Sequence, residues 1–236
     1  MNPEGGGWKS ELNNNLDLPK FLSDLSKGKI VLEIGGDLPL TEELVRKAKK
    51  VYVIEKDEEL SGKLRKMGAQ VIVGDASKVE WPQFQVLLST LPSLIGELLL
   101  FKMTRYDFEF AVLVVSERLH RKMSERGKIG LLIDEFFEVE RLRAFSGLKR
   151  VVVKLKRKRT NTLFSKVLLQ YDKKLKNALR EALCSFGLTK REARFLARKL
   201  GLGELGEKRV TELTDKSFLV LSKKLEEPRE EVSKPQ

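Results

Sequence analysis

At 236 residues, with 41% apolar and 34% charged side chains, the chain is long enough to bury one large core and carry a smaller domain beside it. A single cysteine, Cys184, excludes an internal disulfide, and a single histidine, His120, argues against a histidine-based zinc site or a Cys-His pair; no apolar run reaches the roughly 18 residues of a membrane span. The net charge of +12 is localised, because residues 149–199 hold 17 Lys or Arg against Asp172, Glu181 and Glu192, a balance of +14 that leaves the rest of the chain slightly acidic.

The opening MNPEGGGWKSELNNN lacks the charged-then-apolar order of a secretion signal, so a cytoplasmic protein is expected, with residues 1–20 as a loose arm. Ile30 to Ile34 reads as a short buried strand, and the loop Gly35-Gly36-Asp37-Leu38-Pro39 leads to a helix opened by Thr41. A strand over Val51 to Ile54, a helix over about 57–67, a strand over Val71 to Val73 and another over Val86 to Ser89 follow. Alternation of this kind implies parallel strands with right-handed crossovers, a Rossmann-like α/β sheet whose ligand site lies at the carboxyl ends of its strands. Later strands are expected over Phe110 to Val115 and Gly130 to Val139, with a helix over about 117–124 between them. Arg150 to Leu155 alternates and reads as the last strand of the sheet, an edge that its lysines would guard against aggregation as readily as they would contact RNA.

Beyond Thr160 the pattern turns helical. A helix over about 173–186 presents Leu175, Leu179, Leu183 and Phe186 on one face and stops at Gly187; Cys184 lies on or beside that face and is read as packing. Thr189 and Glu192 form a capping box for a helix ending at Gly201, a final helix follows Thr214, and a charged tail begins at Glu226. The expected organisation is therefore an arm (1–20), a Rossmann-like domain (21–159), a small helical RNA-binding domain (160–225) and a disordered tail (226–236).

An ion-rich surface of the thermophilic kind would spread its charge evenly. Localised positive charge instead favours a polyanion, since each neutralised phosphate releases a counterion. The candidate contacts are Lys154, Lys156, Arg157, Lys158 and Arg159 on and after the basic strand, and Lys173, Lys174 and Lys176 at the head of the helix that follows.

The chemistry-bearing residues sit at successive strand ends. Glu33-Ile-Gly35-Gly36 places small residues where backbone would approach a ligand closely at a helix start. Glu55, about 20 residues past that loop, stands where an acid bonds ribose hydroxyls. Gly74-Asp75-Ala76 closes the third strand, where a carboxylate meets the amino group of an adenine; acids at strand ends also cap helices, and that plain role is the alternative.

Val31-Leu-Glu-Ile-Gly35, Val51-Tyr-Val-Ile-Glu55-Lys-Asp57 and Val73-Gly-Asp75-Ala76 resemble the ribosomal RNA adenine N6-dimethyltransferase family. Ser89-Thr-Leu-Pro-Ser93 with Leu98-Leu-Leu-Phe101-Lys is similar to that family's Ser-Asn-Leu-Pro-Tyr segment and its following helix, and Asp172-Lys-Lys-Leu-Lys-Asn-Ala-Leu179 to its basic C-terminal helix. The resemblance runs over roughly residues 29–225 and implies S-adenosylmethionine held by Glu33, Gly35, Gly36, Glu55, Asp75 and Ala76. It also implies an adenine of small-subunit ribosomal RNA, or of a pre-ribosomal subunit, flipped to a turn formed by Thr90, Leu91, Pro92 and Ser93. A monomer without metal is expected. Thr90 stands where the family has Asn and Ser93 where it has an aromatic residue, the glycine loop is one residue shorter, and Asp37 brings a negative charge toward the donor's carboxylate. The family's Gln-Asn/His-Phe-Leu covering element is reduced to Leu18-Pro-Lys-Phe21-Leu22 at most. Two functions stand side by side: an adenine N6-methyltransferase, or a non-catalytic relative acting as a ribosomal RNA-binding assembly factor.

Overall fold

The computed structural model describes residues 17–90, 93–145 and 149–226. They fall into two units, one made of residues up to Arg121 together with Phe137–Arg157, the other of Lys122–Phe136 and the chain from Lys158 onward.

In chain order the first unit contains α1 (Leu18–Leu25), β1 (Ile30–Ile34), α2 (Leu38–Lys47), β2 (Lys50–Glu55), α3 (Glu58–Lys66), β3 (Gln70–Val73), β4 (Val86–Ser89), α4 (Ser93–Met103), β5 (Phe110–Ser116) and the start of α5 (Glu117–Ser124). After α6 (Lys128–Phe136), which belongs to the second unit, the chain returns with β6 (Phe137–Phe145) and β7 (Arg150–Arg157). The seven strands lie in the order β3-β2-β1-β4-β5-β7-β6. Strands β3 to β5 are parallel, with Val31 level with Val51 on one side and Val86 on the other, whereas β7 runs antiparallel between β5 and β6. Strand order reverses beside β1, and that reversal opens a crevice at the carboxyl ends of β1 and β4.

Period-two alternation divides each strand between the two faces. Val31, Val51, Val53, Val86, Leu88, Val112, Val114 and Val152 join Leu18 and Leu22 of α1, Leu40 and Leu44 of α2 and Leu64 of α3 in one core. Leu32, Ile34, Leu87, Ala111 and Leu113 are buried on the alternate positions. Before the starts of β4 and β5, the rings of Trp81, Phe84, Tyr106, Phe108 and Phe137 form a chain, with Trp81 and Tyr106 stacked at 4.7 Å between centroids.

Three expectations are corrected. The apolar run expected as a strand over Gly130 to Val139 is helix α6 up to Phe136 and strand only from Phe137. Ile129, Leu132, Ile133 and Phe136 are its buried residues, and their spacing is helical. As a result β7 is interior and β6 forms the edge, carrying Glu138, Glu140, Arg141 and Arg143 and a register shift between Arg141 and Arg143. Helix α2 begins at Leu38, not Thr41, because Asp37 accepts from Leu40 N–H as the N-cap and Pro39 is harmless in a first turn.

Leu18 already opens α1, capped by Asp17, inside the stretch expected to be a loose arm; the rest of that arm, residues 1–16, and the tail beyond Glu226 lie outside the described residues.

The second unit is helical. It adds α7 (Leu163–Leu168), α8 (Leu175–Ser185), α9 (Lys190–Lys199) and α10 (Asp215–Glu226) to α6, with short 3-10 turns at Gly203–Glu207 and Val210–Glu212. Leu175, Ala178, Leu179, Ala182 and Leu183 bury one face of α8, and the expected capping box of Thr189 and Glu192 opens α9. Cys184 is half-buried on α8. No helix of the described residues is long and apolar enough to cross a membrane, and no group of His, Cys, Asp or Glu among them could hold a metal ion.

Candidate functional site

The carboxyl ends of β1, β2 and β3 bring Glu33, Gly35, Gly36, Glu55 and Asp75 together. Gly35 turns the chain out of β1 with φ +79° and donates its N–H to the carbonyl of Ile54, 2.9 Å away in β2. Gly36 N–H donates to Glu55 Oε2 at 2.7 Å. A Cβ built on Gly36 would stand 2.4 Å from Leu64 Cδ1 and 3.5 Å from the Glu55 carboxylate, so a side chain has no room where the loop passes beneath α3. Glycine is required here by packing.

Glu33 lies wholly buried at the base of that loop. Its carboxyl accepts from Asp37 N–H at 2.9 Å and from Thr41 Oγ1 at 2.6 Å, fixing the loop to α2. Burial pushes its pKa up to about 8, against the lowering effect of those two bonds and with a further rise from Asp37 and Glu55. Glu33 is therefore a largely neutral structural brace at pH 7.

Glu55 caps the turn after β2. Its Oε1 accepts from Lys56 N–H at 2.6 Å and Asp57 N–H at 2.9 Å. With Gly36 on Oε2, three of about four acceptor sites on the carboxylate are used, and one remains for an incoming hydroxyl. The Glu55 carbonyl accepts from Gly74 N–H at 2.8 Å, which sets Asp75 next to it. Asp75 Oδ1 accepts from the Ser77 hydroxyl at 2.7 Å and its N–H at 2.9 Å, while Oδ2 lies 3.0 Å from Lys56 Nζ. The two bonds from Ser77 first, then Lys56, hold its pKa down to about 2, so Asp75 is an anion across the physiological range.

Ala76 is buried, and its carbonyl is held twice, by Trp81 Nε1 at 2.8 Å and by Lys102 Nζ at 2.9 Å. Lys102 also donates to the Val79 carbonyl at 2.5 Å and stands 5.1 Å from the centroid of the Trp81 ring. Sequence reading noticed this lysine without assigning it work; its signal, one charge within the apolar run of α4, was present.

At the end of β4 the Ser89 hydroxyl donates to the Ile34 carbonyl at 3.1 Å, closing the crevice side of β1. Thr90 follows, half-buried. Leu91 and Pro92 lie outside the described residues, and Ser93 is placed by its backbone as the first residue of α4.

The basic candidates meet varied surroundings. Lys154 and Lys156 of β7 stand directly across from Glu140 and Glu138 of β6, and Lys154 Nζ lies 4.6 Å from the Phe110 ring centroid. Arg157 is half-buried with a guanidinium N–H 3.5 Å from the Met103 carbonyl, and burial lowers its pKa. Lys158 bonds the Asp134 carbonyl at 2.7 Å, and Arg159 is exposed. Lys173 pairs with Glu181, and Lys174 and Lys176 both pair with Glu207. Arg180, Arg194 and Arg198, which the sequence reading counted in the basic excess but did not place in the site, line a pocket with Lys176.

The family model and the curated relatives agree on one family. The family described as Ribosomal RNA adenine dimethylase matches residues 20–182. A probable ribosomal RNA small subunit methyltransferase A of Pyrococcus furiosus is 31% identical over 218 residues, covering 81% of this chain and 80% of that protein. A protein of the same description from Pyrococcus abyssi is 30% identical over 191 residues, 71% of each chain. In fold, the chain is similar to a dimethyladenosine transferase from Plasmodium falciparum, with a TM-score of 0.54 at 22% identity over 87% of this chain and 94% of the other. It is also similar to the 23S rRNA methyltransferase ErmE, with a TM-score of 0.50 at 18% identity over 88% and 96%.

Proposed function

Since the chain belongs to the ribosomal RNA adenine dimethylase family, we propose that it docks on small-subunit ribosomal RNA through its helical unit and transfers methyl groups from S-adenosylmethionine to adenine N6. The observation that carries this reading is the convergence of Gly36, Glu55 and Asp75 at three adjacent strand ends, beside the point where strand order reverses.

The residues present fit the donor. Gly36 packs its Cα against Leu64 and Glu55 beneath α3, which holds the loop at the carboxyl end of β1. Glu55 keeps one acceptor site for a ribose hydroxyl, and Asp75, ionised and held by Ser77, suits an adenine amino group. Bound there, the donor supplies an electrophilic methyl group. The protein's part is to orient an exocyclic amine whose lone pair is delocalised into its ring, by accepting from its N–H groups at the turn after β4.

A second reading is favoured by two residues at that turn. Thr90 is shorter than Asn and presents no amide, and Ser93 has no ring, which forgoes stacking worth about 1–3 kcal/mol per base. In that reading the chain is a non-catalytic relative that binds ribosomal RNA during subunit assembly.

Calorimetric titration with S-adenosylmethionine, followed by transfer of labelled methyl to immature small subunits, separates the two. Micromolar binding that disappears in a Glu55→Ala, Asp75→Ala variant, together with label in the RNA, is the expected result. Binding without transfer selects the non-catalytic reading, and absence of binding removes the donor site.

A further inference from the structure

The helical unit holds a pocket of about 500 Å³ lined by Lys176 and Arg180 of α8, Arg194 and Arg198 of α9, the turn through Gly201 to Gly206, and Glu207. Each helix contributes its two cations at i and i+4, so four positive charges from two helices converge on one space. The three arginines differ from the lysines at the head of α8, Lys176 included, in one respect. Lys173 is neutralised by Glu181, and Lys174 and Lys176 share Glu207, whereas the guanidiniums of Arg180, Arg194 and Arg198 have neither hydrogen-bond nor ion-pair partner among the described residues. Among the described residues the one carboxylate lining the pocket, Glu207, is already held by two lysines.

Three unpartnered guanidiniums gathered in one concavity repel one another and stay well hydrated until an anion arrives. A guanidinium fork matches two phosphate oxygens at once, and this geometry distinguishes a phosphate site from a general lysine-rich surface. Beside Arg194 on α9, the Phe195 ring is 61% exposed, with Lys199 Nζ 5.8 Å from its centroid. Phe195 is not part of the pocket lining, but it precedes Arg198 by three residues on α9 and so borders the pocket's arginine face, where an exposed ring offers a base a stacking surface; this suits a nucleotide strand better than an acidic peptide.

We propose that the α8–α9 pocket is a phosphodiester-binding site for an RNA strand, with Arg180, Arg194 and Arg198 holding backbone phosphate and Phe195 stacking on a neighbouring base. The proposal rests on the RNA-binding reading of the helical unit and narrows it to this site. Binding energy comes from the arginines of the pocket, and the lysines Lys173, Lys174 and Lys176, held by Glu181 and Glu207, contribute less.

The test is fluorescence anisotropy of a labelled RNA hairpin with the full chain, at several salt concentrations. An Arg194→Gln, Arg198→Gln variant is compared with a Lys63→Gln, Lys66→Gln variant, which removes the same charge from α3 in the sheet unit. Loss of two phosphate contacts lowers the slope of log affinity against log salt by roughly two and weakens binding about tenfold or more, while the α3 variant stays near the parent. Phe195→Ala weakens binding with the slope unchanged, and Arg180→Gln gives a smaller loss of the same kind as the double variant. Parental affinity and slope in the Arg194, Arg198 variant would overturn the pocket while leaving RNA binding by the chain intact. Absence of hairpin binding by the parent overturns the RNA reading and the pocket with it. Capture of labelled poly-glutamate by the parent, lost in the Arg194, Arg198 variant while hairpin binding is unchanged, assigns the pocket to an acidic polypeptide and also overturns the proposal.

Discussion

Lys102, on the helix that follows β4, donates to the carbonyl of Ala76 at 2.9 Å and thereby ties the loop after β3 to α4. Asp75 immediately precedes that carbonyl, and Val79, whose carbonyl Lys102 also holds, ends the same turn. Lys102→Met removes the donor from both carbonyls and the cation from the Trp81 face. The expected cost is about 1–3 kcal/mol of folding stability, read by denaturant unfolding, because the Val79 carbonyl is left without this donor while the Ala76 carbonyl keeps its bond from Trp81 Nε1. Donor binding should weaken as well, since Asp75 loses its fixed position. A variant as stable as the parent would show that water replaces the amine without loss.

Gly36→Ala places a methyl group 2.4 Å from Leu64 Cδ1, in a core where Leu64 is fully buried. Overpacking of this kind costs about 1–3 kcal/mol. Leu64→Ala alone costs about 2–5 kcal/mol, and the double variant should be more stable than the sum of the two predicts, because the added methyl enters the space that Leu64 vacates. Strict additivity in a double-mutant cycle would mean that the loop moves away and the two residues do not meet.

Glu33 gives the protein a stability that falls as pH rises. Its folded pKa is raised to about 8, whereas the ordinary value is 4.5, so between those values the folded state binds a proton that the unfolded chain has released. The stabilising effect is complete below about pH 4.5 and is lost as pH climbs to about 8, at up to about 1.4 kcal/mol per pH unit, a few kcal/mol in all. Glu33→Gln keeps an acceptor for Asp37 N–H and a polar partner for Thr41, and should flatten that dependence. Unfolding curves at pH 5, 6.5 and 8 decide it; identical slopes in parent and variant would place the proton elsewhere.

Asp37→Asn separates capping from charge. Asparagine caps a helix about as well as aspartate, so stability should change by only a few tenths of a kcal/mol. If the donor's carboxylate lies at the α2 terminus, removing the negative charge there tightens S-adenosylmethionine binding several-fold in calorimetry. Unchanged affinity would put that carboxylate out of reach of Asp37.

Local order in the sequence determined much of this protein. β1 and β4 are legible because strands covered on both faces read as short apolar runs, β2 and the edge strand β3 because their Val- and Ile-rich runs close on Glu or Gly-Asp, and the Thr189 capping box because its partners are three residues apart. That Gly36, Glu55 and Asp75 come together was legible as well, since parallel connectivity brings successive strand ends together. What depends on distant packing was not legible. α6 carries apolar residues that suit either a strand or a helix, and its burial within the helical unit selects the helix, which in turn makes β6 the edge and β7 interior. A basic sequence run likewise does not say which cations already have partners: Glu207 lies about 30 residues beyond the lysines it neutralises, and only the folded chain leaves Arg180, Arg194 and Arg198 facing one pocket without a carboxylate of their own. Charge balance is a property of space, and pairing across a tertiary fold cannot be counted along the chain.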